Sequence, residues 1–359
     1  MDNICSEIDV IVSDLVGWEK KISLVAKGLR EKNKSIGPND VFLDGALIVK
    51  VGPDDLSKIT VGGIDGGLLQ KEYHGVNIIL TRAVCAVFNY RDGKLSGSDY
   101  YPSAFPKPKI KIVKSSFDPS GLSSAASIFR LEAELGLACD MINTQKDMDF
   151  LFLDGSLTLH PSVGVGVSLD CKREYEVLIE IVKRMYSLAS VKKTVLSGIV
   201  EDSRSQAFIK NCRSMLDVEM VKSLFNVKDT HLLTYLLSVG ERTSVFRTVC
   251  DNKGDLAVGV KGFENNLFSF YIRPSEFDRA LRVDFIAKDN PVSVASKIAS
   301  SIFSMSRHNS VYGIPPVIID ADQRAKLSGD ELISVENEIR CGVGNVSSFS
   351  ELRRNSRPV

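Results

Sequence analysis

Val61-Gly62-Gly63-Ile64-Asp65-Gly66-Gly67 and Phe150-Leu151-Phe152-Leu153-Asp154-Gly155-Ser156 repeat one local design at two distant places in the chain. Each runs apolar residues into an aspartate and meets glycine immediately after it. An apolar run that stops at a turn signal reads as a buried strand. An aspartate there sits at the rim of a sheet, where its charge stays out of the core. The glycine beside it lets an ion, a phosphate or another backbone come close. One Asp-Gly is an ordinary turn. Two copies of the pattern point to a shared two-carboxylate metal site at strand ends.

Outward from these motifs the chain reads as alternating helices and strands. Residues 1–56 form a helical N-terminal arm with two apolar stripes, Ile8, Val12, Leu15 and Val16, then Ile22, Val25 and Leu29. Core packing and association both suit the first stripe. Asn77 to Tyr90 is long and β-branched enough for a major strand, and Ser120 to Asn143 is a helix with Leu131, Leu135, Ala138 and Ile142 on one face. Strands are expected again at Phe150 to Leu159, Thr194 to Val200, Ser244 to Cys250, Leu267 to Arg273 and Ala280 to Ala287. Helices are expected at Tyr175 to Leu188, after Asp202, at Val292 to Met305 and after Pro315-Pro316. Strands that cluster and then alternate with helices give one α/β domain with a mixed sheet flanked by helices, over residues 57–330, and a C-terminal extension over 331–359.

Composition narrows the class without deciding it. The 359 residues are 44% hydrophobic and 25% charged, with 45 basic and 45 acidic side chains and zero net charge. No stretch reaches the roughly 20 apolar residues of a membrane span. Residues 1–9 carry three acids and no basic lead, so they do not read as a secretory signal. Seven cysteines, an odd number mostly inside apolar segments, suit reduced thiols of a cytoplasmic protein. Four histidines, none in a ligand pair, argue against zinc. Zero net charge still permits a nuclease, because a basic groove beside an acidic site cancels in the sum.

Two aspartates alone make a weak magnesium site. Glu132 and Glu134 flank the apolar stripe of the helix before Asp154, and either can face the strand ends; a solvated helix edge explains them as well. Asp320 and Asp322 follow another apolar run, Asp320 as a helix N-cap or Asp322 as a further carboxylate. Ser203-Arg204-Ser205 suits either a phosphate or a helix cap. Lys107, Lys109 and Lys111 alternate along an extended segment, as phosphate-tracking cations or as guards of an edge strand. Tyr271 and Arg273 share one face of a strand, as do Arg282 and Asp284. No Walker loop, dinucleotide fingerprint or nucleophile elbow is present.

In order, these pieces resemble the NurA family of archaeal and bacterial DNA-repair nucleases. The resemblance runs through Gly63 to Gly67, Arg130-Leu131-Glu132, Phe152 to Leu157, Val200-Glu201-Asp202-Ser203-Arg204-Ser205, Tyr271-Ile272-Arg273-Pro274, Arg282-Val283-Asp284 and Gly313 to Asp322. It covers about residues 58 to 326. It implies a ribonuclease H-like core and a homodimer that cuts DNA as a 5′ to 3′ exonuclease and endonuclease. It implies manganese, with magnesium as the alternative ion, and work beside the hexameric HerA translocase in resecting single- and double-stranded DNA ends for double-strand break repair. The metal carboxylates fall on Asp65, Asp154 and a helix glutamate; Glu132 has the family's Leu-Glu context, with Glu134 as alternate.

Two positions depart from the family: Glu201 stands where many relatives have lysine and Asp322 where many have histidine. Asp322 can ligate a metal but supplies no imidazole. On this reading Asp65, Glu132 or Glu134, Asp154 and Asp322 form the catalytic set. Ser203, Arg204, Tyr271, Arg273 and the three lysines hold DNA. The competing readings are a non-catalytic ribonuclease H-like DNA-binding subunit that regulates a translocase, and an RNA-directed nuclease.

Overall fold

The structure, a computed structural model, describes residues 2–35, 37, 41–114, 119–159, 172–248, 262–344 and 346–353. The chain divides into two compact units of interleaved stretches. The first takes residues 1–55, 198–250 and 264–315, and the second 56–197, 251–263 and 316–359.

The second unit carries both Asp-Gly motifs. Its strands are β2 (Lys58–Glu72), β3 (Val76–Arg91), β4 (Lys94–Tyr101), β5 (Lys109–Lys114) and β6 (Phe150–Asp154). β3 lies antiparallel between β2 and β4, and β5 also pairs with β3. β6 joins the other side of β2 in parallel. A parallel neighbour needs a crossover, and α2 (Pro119–Thr144) supplies it between β5 and β6. Three antiparallel strands, a helix and a return parallel to the first strand make the mixed sheet expected of a ribonuclease H-like core. α3 (Lys172–Val191), α8 (Pro316–Ala325) and α9 (Gly329–Val343) complete the unit.

Side-chain alternation sorts its two faces. Ile79 packs with Leu122, Ala125, Ala126 and Phe129 of α2. Ile78 and Leu80, one step away, pack instead with Leu332 of α9, Tyr73 and Phe349. Helix α9 starts with a full capping box, Ser328 to the Glu331 amide and Glu331 back to Ser328. The expected C-terminal extension therefore begins with an ordered helix.

One expectation fails here. Asp65 is not at a strand end: β2 runs unbroken for 15 residues, straight through Gly66-Gly67. The glycines are there for space. A Cβ on Gly66 would lie 2.3 Å from Glu134 Oε1 and one on Gly67 1.9 Å from the Ala325 carbonyl, so α2 and α8 close onto the strand only where it has no side chains. In the second motif the turn is real: β6 stops at Asp154 and Gly155 takes φ +104°.

The first unit contains α1 (Asp2–Glu31), strands β1 (Ile48–Lys50), β8 (Glu241–Thr243), β9 (Phe246–Arg247), β10 (Leu267–Arg273) and β11 (Leu281–Ile286), and helices α4 (Ala207–Cys212), α5 (Val218–Ser223), α6 (Asp229–Leu236) and α7 (Pro291–Ser306). Its strands pair antiparallel in the order β1-β8-β10-β11, with β9 also against β10. β7 (Val195–Val200) spans the division of the chain. The strand expected from Ser244 to Cys250 shrinks to the two residues of β9, and residues 249 and 250 lie outside those described.

The two stripes of α1 part company. Ile22, Val25 and Leu29 are buried against Phe42, Phe208 and Leu233, each worth about 2 kcal/mol of apolar burial. Ile8, Val12, Leu15 and Val16 stay about half exposed, so they are not core of this chain. No helix among the described residues is long and apolar enough to cross a membrane. Cys85, Cys139 and Cys212 are buried free thiols.

Candidate active site

The parallel register of β2 and β6 pairs Gly63 with Phe152 and Ile64 with Leu153. The next residue on each strand is an aspartate. Parallel neighbours in register share a face, so Asp65 and Asp154 stand side by side. Helix α2, crossing β2 at Gly66, adds Glu134. Helix α8 adds Asp322, close enough to Asp65 for its charge to help raise the Asp65 carboxyl.

Glu134 is only 4% exposed. Burial, with the Asp65 and Asp154 charges adding to it, pushes its carboxyl up to about 8, against the opposing pull of Arg130. Arg130 Nη1 donates to Glu134 Oε1 at 2.7 Å, one helical turn away. Asp65 is 6% exposed and is also raised, by burial first and then by Asp322, while the Gly66 amide and Arg130 oppose. One guanidinium thus faces a group of carboxylates in a poorly hydrated place. Buried like charges that share a site hold protons unless a cation joins them.

The structure distinguishes the two glutamates. Two residues along a helix is a rotation of about 200°, so Glu132 and Glu134 cannot both face the aspartates. Glu134 does. Glu132 instead lines a pocket of about 270 Å³ with Lys107, Lys109, Arg82 and Asp140. The Leu-Glu context favoured Glu132, whereas Glu134 is the glutamate in electrostatic reach of Asp65 and Asp154. Asp320, read as a possible N-cap, lies inside α8 and pairs with Arg324 Nε at 3.1 Å. Asp322 is exposed and also accepts from Gln323 at 2.9 Å.

Among the described residues, no three His, Cys, Asp or Glu side chains are gathered closely enough to enclose an ion. The donor chemistry nevertheless fits a hard divalent cation: oxygen ligands only, Glu134 and Asp65 among them raised towards protonation, with Gly66 leaving the space into which Glu134 reaches. Asp65, Glu134 and Asp154, with Asp322 beside them, are the residues that would hold it.

The residues expected at DNA are dispersed. Lys107 and Lys109, both exposed, line the Glu132 pocket, and Lys111 lies over the Phe129 ring at 4.0 Å and 3.7 Å from Glu174. In the first unit, Arg204 is exposed. Ser203 and Tyr271 are buried, and the Tyr271 hydroxyl donates to Asp229 at 2.8 Å. Arg273 donates to the carbonyls of Thr234, Leu237 and Glu276. Arg282 and Asp284 neutralise each other at 2.8 Å. Glu201, one of the departures from the resemblance, accepts from the Tyr312 hydroxyl at 3.2 Å. The alternation that suggested Tyr271 and Arg273 reports a strand face, and that face is turned inward.

Known structures share this architecture. The NurA nuclease of Sulfolobus solfataricus superposes with a TM-score of 0.57 at 14% identity, over 95% of this chain and 97% of that one. A NurA with manganese matches at 0.53 and 10% identity, over 95% and 99%. A NurA bound to dAMP and manganese matches at 0.51 and 11%, over 96% and 98%. No curated protein matches the sequence. The sequence profile of the NurA domain matches residues 59–327, a span that holds Asp65, Glu134, Asp154 and Asp322 and covers well over half of the chain. By that match, and in keeping with the fold, the chain belongs to the NurA family.

Proposed function

We propose that this chain is a metal-dependent DNA nuclease that hydrolyses phosphodiesters at Asp65, Glu134 and Asp154, with Asp322 at the margin. The observation that carries the reading is Glu134, buried under Gly66 and raised to about 8 by burial and by the charges of Asp65 and Asp154, against the pull of Arg130. A structural acid in such a place would be expected to have matched partners. Manganese is the proposed ion, with magnesium as the alternative; the manganese in related NurA structures supports it. When bound, such ions supply a deprotonated water and neutralise charge on the phosphate.

The chain's own residues have separate tasks. Asp65 and Asp154 present oxygens side by side, and Gly66 keeps the space open for Glu134. Arg130 restrains the Glu134 carboxylate, and Asp322 lies beside Asp65, where an ion would relieve the repulsion between them. Lys107 and Lys109, exposed cations of the second unit, track the phosphate backbone without reading bases, and Arg204 of the first unit is a separate proposed phosphate contact.

The finer reading follows the family: 5′ to 3′ exonuclease and endonuclease activity, a homodimer, a HerA-type hexameric translocase as partner, DNA end resection as the task and the cytoplasm as its place. The half-exposed apolar residues of α1 support an association surface. A second reading, a non-catalytic DNA-binding subunit of such a translocase, is favoured by one observation: no three ligands are gathered around an ion position among the described residues.

Cleavage of 5′-labelled single- and double-stranded DNA decides between them, with manganese, magnesium or EDTA, beside Asp65→Ala and Asp154→Ala. Metal-dependent cutting lost in both folded variants supports the nuclease. Cutting by Asp65→Ala within about threefold of wild type, roughly 0.65 kcal/mol, overturns the site. A wild type that binds DNA but never cuts it supports the second reading.

A further inference from the structure

Beside Asp65, the same face of the second unit's sheet carries an aromatic–guanidinium cluster that none of the roles above uses. Arg324 lies over the Tyr100 ring at 3.7 Å and within 5.2 Å of the Phe105 ring. Its Nε is held by Asp320 from the preceding turn of α8. Phe105 is 69% exposed, in a segment where Pro102, Pro106 and Pro108 fix the backbone around it.

Strand register places this cluster. Gly63 of β2 pairs with Ala86 of β3, and Ala86 with Tyr100 of β4. Cross-strand partners share a face, and Asp65 shares it with Gly63. Tyr100 is therefore on the Asp65 face, two strands across and two residues along, which puts their Cα atoms about 12 Å apart. Helix α8 links the two places, with Asp322 at Asp65 and Arg324 at Tyr100.

A single exposed phenylalanine is ordinary. A stiffly held one, stacked with a guanidinium that rests on a second ring, offers a flat surface at little ordering cost. We infer that Phe105, Arg324 and Tyr100 form a stacking platform for an unpaired nucleobase next to the phosphate being cut. Its ligand is single-stranded DNA or the frayed end of a duplex, taken without base preference because every base has a π-face. This rests on the nuclease reading and names how its substrate strand is held.

The test is binding of a fluorescein-labelled single-stranded oligonucleotide, followed by anisotropy with calcium in place of manganese. A strand of the same length with abasic sugars is measured alongside. Phe105→Ala is expected to weaken the normal strand about tenfold and the abasic strand less than about twofold, with Phe105→Tyr restoring the normal strand. Phe277→Ala, an equally exposed phenylalanine of the first unit, serves as control and is expected to change neither. Phe105→Ala that binds both strands as wild type does, or weakens both alike, overturns the platform. If that variant and wild type still cut DNA with manganese, the platform alone has failed. A wild type that neither binds nor cuts DNA refutes the nuclease reading and the platform with it.

Discussion

The acids buried at the candidate site of the second unit are held differently from those buried in the first. In the first, Asp229 is fully enclosed, and its two oxygens accept from the amides of Phe208 and Ile209 at 3.0 and 2.9 Å and from the Tyr271 hydroxyl. Asp44 meets Arg242 at 2.6 Å and also accepts from the Val245 amide. Asp284 takes Arg282 Nε and the Ser269 hydroxyl. Each of these acids has an assembled set of donors. In the second unit, Glu134 has Arg130 and two neighbouring acids, and Asp65 faces Asp322. Matched burial holds a fold together; unmatched burial of like charges costs stability and is kept where an ion or a reaction uses it.

Breaking the unmatched side has the largest expected effect on activity. Glu134→Gln keeps size and the hydrogen bond to Arg130 but removes the anion. Even outer-shell metal partners are worth about 10- to 100-fold, so cleavage is expected to fall more than about 100-fold. Glu132→Gln is expected to stay within about threefold of wild type. Steady-state cleavage rates of the two variants check this, and equal losses would erase the distinction between the glutamates. On the matched side, Asp229→Ala strands two buried amides and a hydroxyl, and is expected to destabilise by about 3 kcal/mol in denaturant unfolding. A loss below about 1 kcal/mol would show that the network is not structural.

Gly66→Ala sharpens the comparison from the backbone. Its methyl would meet the Glu134 carboxylate at 2.3 Å, so cutting is expected to drop about tenfold as the flexible glutamate end shifts. Wild-type kinetics in that variant would mean that the close approach does not matter.

The pH dependence has a fixed sign. Glu134 is raised in the folded, metal-free protein from 4.5 to about 8. Its contribution is thus fully present below pH 4.5 and is lost as pH rises through about 8. Melting in EDTA is expected to show wild type losing stability relative to Glu134→Gln across that window, by on the order of 1 kcal/mol per pH unit. Parallel melting curves would show that Glu134 is not held neutral. The smallest effect is expected at the surface of the first unit, where Glu19 accepts from His231 and Tyr235. Glu19→Gln should change stability by less than about 1 kcal/mol, and a larger loss would put this pair among the structural contacts.

The sequence made the apolar patterns legible and left the spacing of elements obscure. Asp65 and Asp154 stood out because glycine follows an apolar run at both. The same glycines were misread at β2, where Gly66 and Gly67 make room for α2 and α8 and the strand does not turn. That depends on what packs above the strand, which no local pattern encodes. Glu134 was obscured by its neighbour, since both glutamates border the apolar stripe of α2 and only the crossing at Gly66 separates them. Tyr271 and Arg273 looked available because alternation assigns residues to faces without telling which face is covered. The Phe105 cluster was missed outright: its three residues come from β4, a loop and α8, and share no spacing.

The most direct measurement is a calorimetric titration of manganese into the metal-free protein at pH 7, repeated in buffers of different ionisation enthalpy to count protons. A carboxyl raised to about 8 holds its proton at pH 7 and must give it up to ligate. Binding is expected to release about one proton per ion from Glu134, and Glu134→Gln and Asp65→Asn are expected to weaken or abolish it. Manganese that does not bind, or binds equally well to both variants, would contradict the assignment of these buried acids as the metal centre.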